Sequence, residues 1–486
     1  MAAAGLFVGG VAMPSAKAAD LGGDCCADLE ERVAELEATT ARKGNRKVSL
    51  TITGNVNRSV LWWDDSHMSR AYYGLDNSNF SSRLGFLGSA RVNPSVTMGF
   101  EMLMDIGTGV GGTTFAVNQL DEDGKRSTAN PMGNSVSYNN ANSGSDQSFY
   151  IRRAATWIEH KDIGRLTVGR FESAGVVSTI DLGGIFMVAS SSVSLVNGNF
   201  FVRGPNGEFY SMTWGTAGLG DPAAVQGRSE LVRYTSPTWM GFIYDASIGE
   251  RGDYWGSMLR YAGEFSGFRI AAGFGYERIR DSQTTVTLDP ASPNFVGPQP
   301  DISAWGGALS VMHVPTGLFV QGHYMTADYS INAATSGYWG GTNQHKDLEF
   351  WLIQAGIAKN WFGIGNTALY GEYSRTGNAA AQDFPGRNFA GSSAFATPFT
   401  GTASQNFQTV NGVTDTDLTV WGLGITQNVD AAASTLYLGY RNFSADVTCT
   451  GAATATQQCA GAAGGPAKKL STDDLHVVLG GMVVRF

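Results

Sequence analysis

From Val48 to Phe486 apolar residues recur at every second position, not every third or fourth. Val48, Leu50, Ile52 and Val56 alternate with Ser49, Thr51, Thr53 and Asn55. Val96, Met98, Phe100, Met102 and Met104 alternate with Thr97, Gly99, Glu101 and Asp105, and Leu436, Leu438 and Tyr440 with Tyr437, Gly439 and Arg441. Period two places one set on each face of a strand. It predicts strands near 47–64, 80–93, 95–107, 147–161, 164–173, 229–236, 240–250, 255–265, 267–281, 302–314, 317–330, 346–362, 366–378, 415–429, 434–447 and 473–486, an even number. The connectors alternate in kind. Asn93-Pro94-Ser95, Pro237-Thr238, Ser266-Gly267 and Pro315-Thr316-Gly317 are tight, whereas 65–79, 108–146, 174–228, 282–301, 331–345, 379–414 and 448–472 are long, and only 251–254 breaks the rule. Short turns at one end and long polar loops at the other describe a transmembrane β-barrel. In lipid it must close, because an open edge would leave backbone groups unpaired. Aromatics toward strand ends, among them Trp62, Trp63, Trp157, Trp239, Trp255, Trp351 and Trp361, suit interfacial girdles. No internal repeat supports a soluble propeller or β-helix.

Composition sharpens this all-β, 16-stranded antiparallel reading. Charged residues are 15% of the chain, against about 25% in an average soluble domain. Glycine accounts for 64 of 486 residues and mean hydropathy is −0.10. Gly, Ser, Thr and Asn therefore replace charge, as expected of a lumen face that meets water behind an outer face that meets lipid. No run of 18 apolar residues exists, which excludes a membrane-spanning helix. A net charge of −9 without a basic block argues against nucleic-acid binding. Enzymatic signatures are absent: the chain has no G-x-S-x-G, H-E-x-x-H or C-x-x-C, and its six histidines are dispersed. Gly107–Gly112 matches G-x-G-x-x-G but leads into a polar loop instead of a helix. No cofactor and no dedicated metal site is expected. The acidic knot Asp121-Glu122-Asp123 is the one place where a divalent cation such as calcium would be loosely held.

The amino-terminal segment differs from the rest. Residues 5–13 are apolar, and Ala16 and Ala18 give the A-x-A pattern of a signal-peptidase site, so residues 1–19 read as a signal-peptide remnant. Within 20–46, Cys26, Leu29, Val33 and Leu36 fall on an a/d seam. Two heptads are too short to hold alone, so this helical coiled-coil segment, expected in the periplasm, needs partner copies. Cys449 and Cys459 bracket a small-residue loop and suit a local disulfide in an oxidising compartment, while Cys25 and Cys26 are open to cross-chain pairing or to free thiols.

The opening DLEERVAELEATTARKGNRKVSLTITGNVNRSVLWWDD (28–65), the run Gly164–Arg170, the following Ser178–Gly184 and the terminal strand Leu475–Phe486 resemble alphaproteobacterial outer-membrane porins. That resemblance implies sixteen strands over 47–486, a homotrimer in the bacterial outer membrane, and passive diffusion of small hydrophilic solutes and ions. It implies too that the long loop 174–228 folds inward as a constriction. Asp181 and, at the loop stem, Glu172 are then its acids, opposed by arginines whose strand parity faces the lumen: Arg83, Arg91, Arg152, Arg260 and Arg269. Arg233 is a weaker choice. Facing rows of opposite charge would set a transverse field across the pore. Arg58, Arg153 and Arg278 have outward parity, suiting lipopolysaccharide phosphates or trimer contacts. The stretch IFMVASSSVSLVNGNF after Gly184 is uncharged. The alternatives left open are a substrate-specific channel, and a barrel that also tethers the outer membrane to peptidoglycan through 20–46.

Overall fold

The computed structural model describes residues 48–77, 80–108, 147–177, 179–189, 200–217, 227–249, 252–280, 301–330, 347–378, 407–411, 413–451, 457–460 and 466–486. The signal-peptide remnant, the coiled-coil seam at Cys26, Leu29, Val33 and Leu36, and the acidic knot at 121–123 lie outside them.

The alternating segments form strands almost where the period places them. In chain order they are β1 Ser49–Asp64, β2 Ser69–Asp76, β3 Arg83–Asn93, β4 Val96–Thr108, β5 Gln147–His160, β6 Gly164–Glu172, β7 Phe201–Arg203, β8 Phe209–Thr213, β9 Arg228–Thr235, β10 Phe242–Gly249 and β11 Tyr254–Phe265. They continue with β12 Phe268–Ile279, β13 Asp301–His313, β14 Leu318–Ser330, β15 Leu348–Lys359, β16 Thr367–Gly377, β17 Phe407–Asn411, β18 Val413–Val429, β19 Ser434–Thr450, β20 Gln457–Ala460, β21 Ala467–Leu470 and β22 Leu475–Arg485. Sixteen of them close an antiparallel ring. β22 pairs with β1 from Asn55↔Arg485 to Asp64↔His476. The seam is tied at its end by Gly54 N–H to Phe486 C=O, 2.9 Å, and Phe486 N–H to Gly54 C=O, 3.0 Å. No described helix is long and apolar enough to cross a membrane.

At the tight end, Asn93 accepts the N–H groups of Ser95 and Val96 at 2.8 and 2.9 Å, which fixes the β3–β4 turn. Gly267 and Gly317 take φ of +81° and +78° in their turns, a region open to glycine at little cost. At the other end one expectation fails: 65–79 is not a long loop. The chain turns at 65–68 and returns as β2 along the upper half of β1, while β3 takes the lower half. Together β2 and β3 occupy one strand position, interrupted by 77–82.

The outer face carries the apolar set. Leu259, Phe274, Leu309, Val320, Ile353, Leu369, Leu423 and Leu438 are exposed. Outward Trp and Tyr rings meet across neighbouring strands, with centroids 5.6 Å apart for Trp305–Tyr324, 5.2 Å for Trp351–Tyr373 and 5.4 Å for Trp421–Tyr440. By contrast β3 and β4 hold no Trp or Tyr; Phe86, Met98, Phe100, Met102 and Met104 stand on their outer face.

The described parts of the long 174–228 connector run inward. Ile185, Met187, Val188, Ala189, Phe200, Val202, Met212 and Trp214 are buried against Leu61, Trp63, Phe319, Tyr370, Tyr437, Phe443 and Val477 of the inner wall. Glycines make the room. A Cβ on Gly256 or Gly275 would collide with the carbonyls of Ala174 or Gly175, one on Gly273 with Val177, and one on Gly439 with Val188. Many lumen glycines are thus tracks for the inserted segment and not merely water-facing. Near the long-loop end β7, β8, β17 and β20 form a second, small sheet. Arg203 joins it to the first hairpin through Asp65 at 2.7 Å, both side chains buried.

Candidate channel site

The inner wall divides into two halves. On β13–β19, inward side chains at matched register link into one row. Ser310 donates to Gln321 (3.1 Å), Gln321 to Gln354 (2.8 Å), Gln354 to Glu372 (3.0 Å), and Arg441 to Glu372 (3.1 Å). Gly422 lies between the last two, and its missing side chain lets them meet, since a Cβ there would stand 3.0 Å from both. Glu372 and Arg441 are 1% and 4% exposed. The inserted segment docks here. Asp181 accepts the N–H groups of Gly184 (2.9 Å) and Phe186 (2.7 Å) and an amide hydrogen of Gln321 (3.3 Å), and Thr426 donates to the Gly184 carbonyl. Burial pushes the Asp181 carboxyl above its ordinary range, against the pull of those donors. Asp181 therefore caps its own turn and anchors it to a neutral amide. The structure does not bring Asp181 to the arginines: its carboxylate is satisfied by local N–H groups and Gln321.

The other half holds the charge. Asp105 on β4 receives Arg83 (2.9 Å) and Arg152 (2.7 Å). Arg153 bridges Glu101 and Glu172, the latter at 2.7 Å, and Arg228 stands 3.7 Å from Glu172. Asp245 receives Arg233 (2.8 Å), Arg260 (2.7 Å) and the Thr235 hydroxyl (2.6 Å). The Phe171 ring lies between the Arg153 and Arg233 guanidiniums, 5.1 and 5.6 Å from its centroid.

Of the expected constriction residues, Arg83, Arg152, Arg260 and Glu172 meet on this half. Arg91 and Arg269 do not. Arg91 folds back on the β3–β4 turn carbonyls of Asn93 and Pro94, and Arg269 pairs with Glu264 at 3.2 Å beside the β11–β12 turn. Arg153 overturns its outward parity. The β4–β5 register slips between Leu103 and Met104, and the resulting bulge lets both Arg152 and Arg153 reach acids of the lumen wall. Arg58 and Arg278 sit across from Met482 and Trp255, outward as expected. Arg228, Asp245 and the Gln321–Gln354–Glu372–Arg441 row belong to the site without any local pattern that marks them. The adjacent Arg152-Arg153 pair is the one local signal, because a regular strand cannot aim adjacent side chains at one face. Cys449 is disulfide-bonded. Cys459 pairs by backbone with Val410, and its side chain lies outside the described set.

No family model matches the chain, and no curated protein matches it. Among solved structures, it is similar to an anion-selective porin from Comamonas acidovorans at 13% identity and TM-score 0.47, over 90% of this chain and 100% of that one. A loop-deletion mutant of OmpT, an outer membrane protein of Vibrio cholerae, is similar at 12% and 0.45 over 90% and 100%. The outer membrane channel DcaP of Acinetobacter baumannii is similar at 10% and 0.44 over 92% and 100%.

Proposed function

We propose that the chain is a non-enzymatic outer-membrane porin, passing small hydrophilic solutes and ions by passive diffusion along the charged half of its lumen. One observation carries the reading: a closed barrel, apolar outside, whose inner wall presents a strip of partly exposed charged side chains. Arg153 and Glu101 are each 21% exposed and Arg260 is 30% exposed. An apolar outer band needs lipid around it, and ionised groups on the inner wall need water beside them. Reconstitution into planar bilayers tests this: stepwise ohmic conductance is expected, and silent membranes containing folded barrel would overturn it.

A second reading, a substrate-specific channel, is supported by the packed segment that fills the opposite half and narrows what is left. Block of conductance by one solute class at micromolar concentration would favour it. A homotrimer is part of the proposal, supported by the Met-rich outer face of β4, with Met98 and Met102 exposed. The sequence of 28–65 supports an alphaproteobacterial origin. Outward Arg58 and Arg278 are proposed contacts for lipopolysaccharide. A periplasmic coiled coil at 20–46 is the proposed peptidoglycan tether; its deletion should release the barrel from sedimenting cell wall. Cys459 is the proposed partner of Cys449.

A further inference from the structure

We infer that the tight-turn end of the lumen holds a binding site for a small zwitterion with an apolar body, its carboxylate at Arg485 and its ammonium at Asp430. The inference goes beyond the channel reading and does not depend on it. The site is a cavity of about 450 Å³ lined by Asp181, Phe186 and Met187 of the inserted segment, by Asp430 and Thr435 at the β18–β19 turn, and by Arg485 of β22. Strand parity aims Arg485 inward: Met482 and Val484 are exposed on the outer face, and Val483 is wholly buried inside. The Arg485 guanidinium stands over the Phe80 ring, 5.6 Å from its centroid, and Phe80 meets Phe186 edge-on with centroids 6.1 Å apart. Arg485 N–H donates to the Ala433 carbonyl at 3.1 Å, which ties β22 to the turn that carries Asp430.

Two charges of this cavity are unanswered. Among the described residues the Arg485 side chain makes one hydrogen bond, from Nη1 to the Thr435 hydroxyl at 3.1 Å, and meets no carboxylate. A guanidinium carries five donors, so most of its fork stays open. Asp430 engages through its backbone: its N–H donates to the Ile364 carbonyl at 2.9 Å, and its carbonyl accepts from Ala433 N–H at 3.2 Å. Among the described residues no donor or cation meets the Asp430 carboxylate, so the two charges do not pair with each other. The third acid, Asp181, is already held by the Gly184 and Phe186 N–H groups and by Gln321. One open cation and one open anion around a cavity that also bears Phe186 and Met187 suit a ligand with both signs of charge and an apolar body. The guanidinium fork takes a carboxylate through paired N–H donors. A ligand with a single charge would strip water from the other group and give nothing back, which discriminates against plain anions and plain amines.

The test is equilibrium binding to the full chain folded in detergent, followed by ligand-observed NMR, so it needs no conductance. Leucine and 6-aminohexanoate are the probes: the first carries both charges on one carbon, the second at the two ends of a chain. 4-Methylpentanoate and 3-methylbutylamine are leucine without its ammonium and without its carboxylate; hexanoate and pentylamine are the same for 6-aminohexanoate. One of the two zwitterions is expected to bind about ten-fold more tightly than both of its single-charge analogues, the loss of one charge-assisted hydrogen bond, and which one does so sets the spacing of the two charges. Arg485→Gln and Asp430→Asn should each weaken that binding by about ten-fold. Arg269→Gln should leave it unchanged, since Arg269 sits at the same end of the barrel but is paired with Glu264. Heat-modifiable gel mobility verifies that each variant is folded. The inference is overturned if neither zwitterion binds, if each binds no better than its analogues, or if both folded variants bind as the parent does. None of these outcomes touches the channel reading, which stands or falls on conductance.

Discussion

The two halves of the lumen are lined by inward positions of one continuous sheet, yet they have become different materials. On β13–β19 and β22 the wall is covered by the inserted segment, and its polar groups are spent on one another in the row from Ser310 to Arg441. On β3–β6 and β9–β11 the wall holds interleaved acids and arginines. Strand parity decides which face a side chain is on. What stands opposite that face decides whether it becomes core or channel.

The largest effect should come from breaking the covered ion pair. Glu372→Leu strands Arg441 in a dry wall and should cost about 3–5 kcal/mol in urea unfolding, much of it recovered when Arg441 is replaced by Met as well. Next, Gly275→Ala forces a Cβ into the Gly175 carbonyl and should lift the inserted segment off its track. A loss of about 1–3 kcal/mol and faster proteolysis within 174–189 are expected. Gly371→Ala is the control, since its Cβ would meet nothing closer than 3.8 Å. Glu101→Leu removes a pair in the half proposed to be wet and should cost only about 1 kcal/mol, because water reaches Arg153. If Glu101→Leu matched Glu372→Leu, the distinction between the halves would fail.

The smallest expected effect is a pH dependence at Asp181. Its folded carboxyl titrates above the unfolded one, so the folded state binds the proton more readily in between. The contribution to stability is therefore present below the unfolded value and is lost as pH rises through the folded one. Hydrogen exchange at the Gly184 and Phe186 amides should accordingly slow on acidification, and exchange insensitive to pH after correction for intrinsic rates would remove this account.

Most of the barrel was legible because its signal is local: alternation over ten residues, ended by Pro, Gly or Asn. The misses share a non-local cause. β2 carries its Gly74 irregularity inside eight residues, too few for a period to declare itself. Arg153 depends on a slip in its pairing with Leu103, 50 residues away in sequence, which is a property of the pair and not of either strand. Nothing local to Asp181 marks its docking, because its partner Gln321 lies 140 residues away in sequence. Glycine abundance was visible at once, but its use as a track for Ala174–Val177 required knowing what passes over it.

The seam between β1 and β22 has a consequence in time. Asn55 lies on the first strand of the ring and Arg485 on its last, yet they are neighbours. Every intermediate that lacks β22 therefore presents two bare strand edges, at the first strand and at the last one formed. Such edges pair readily with other chains. Pairing across so great a sequence separation is slow. Synthesis and closure must then be separate events, and the chain has to be kept apart from its own copies until the final eleven-residue strand can be zipped onto the first.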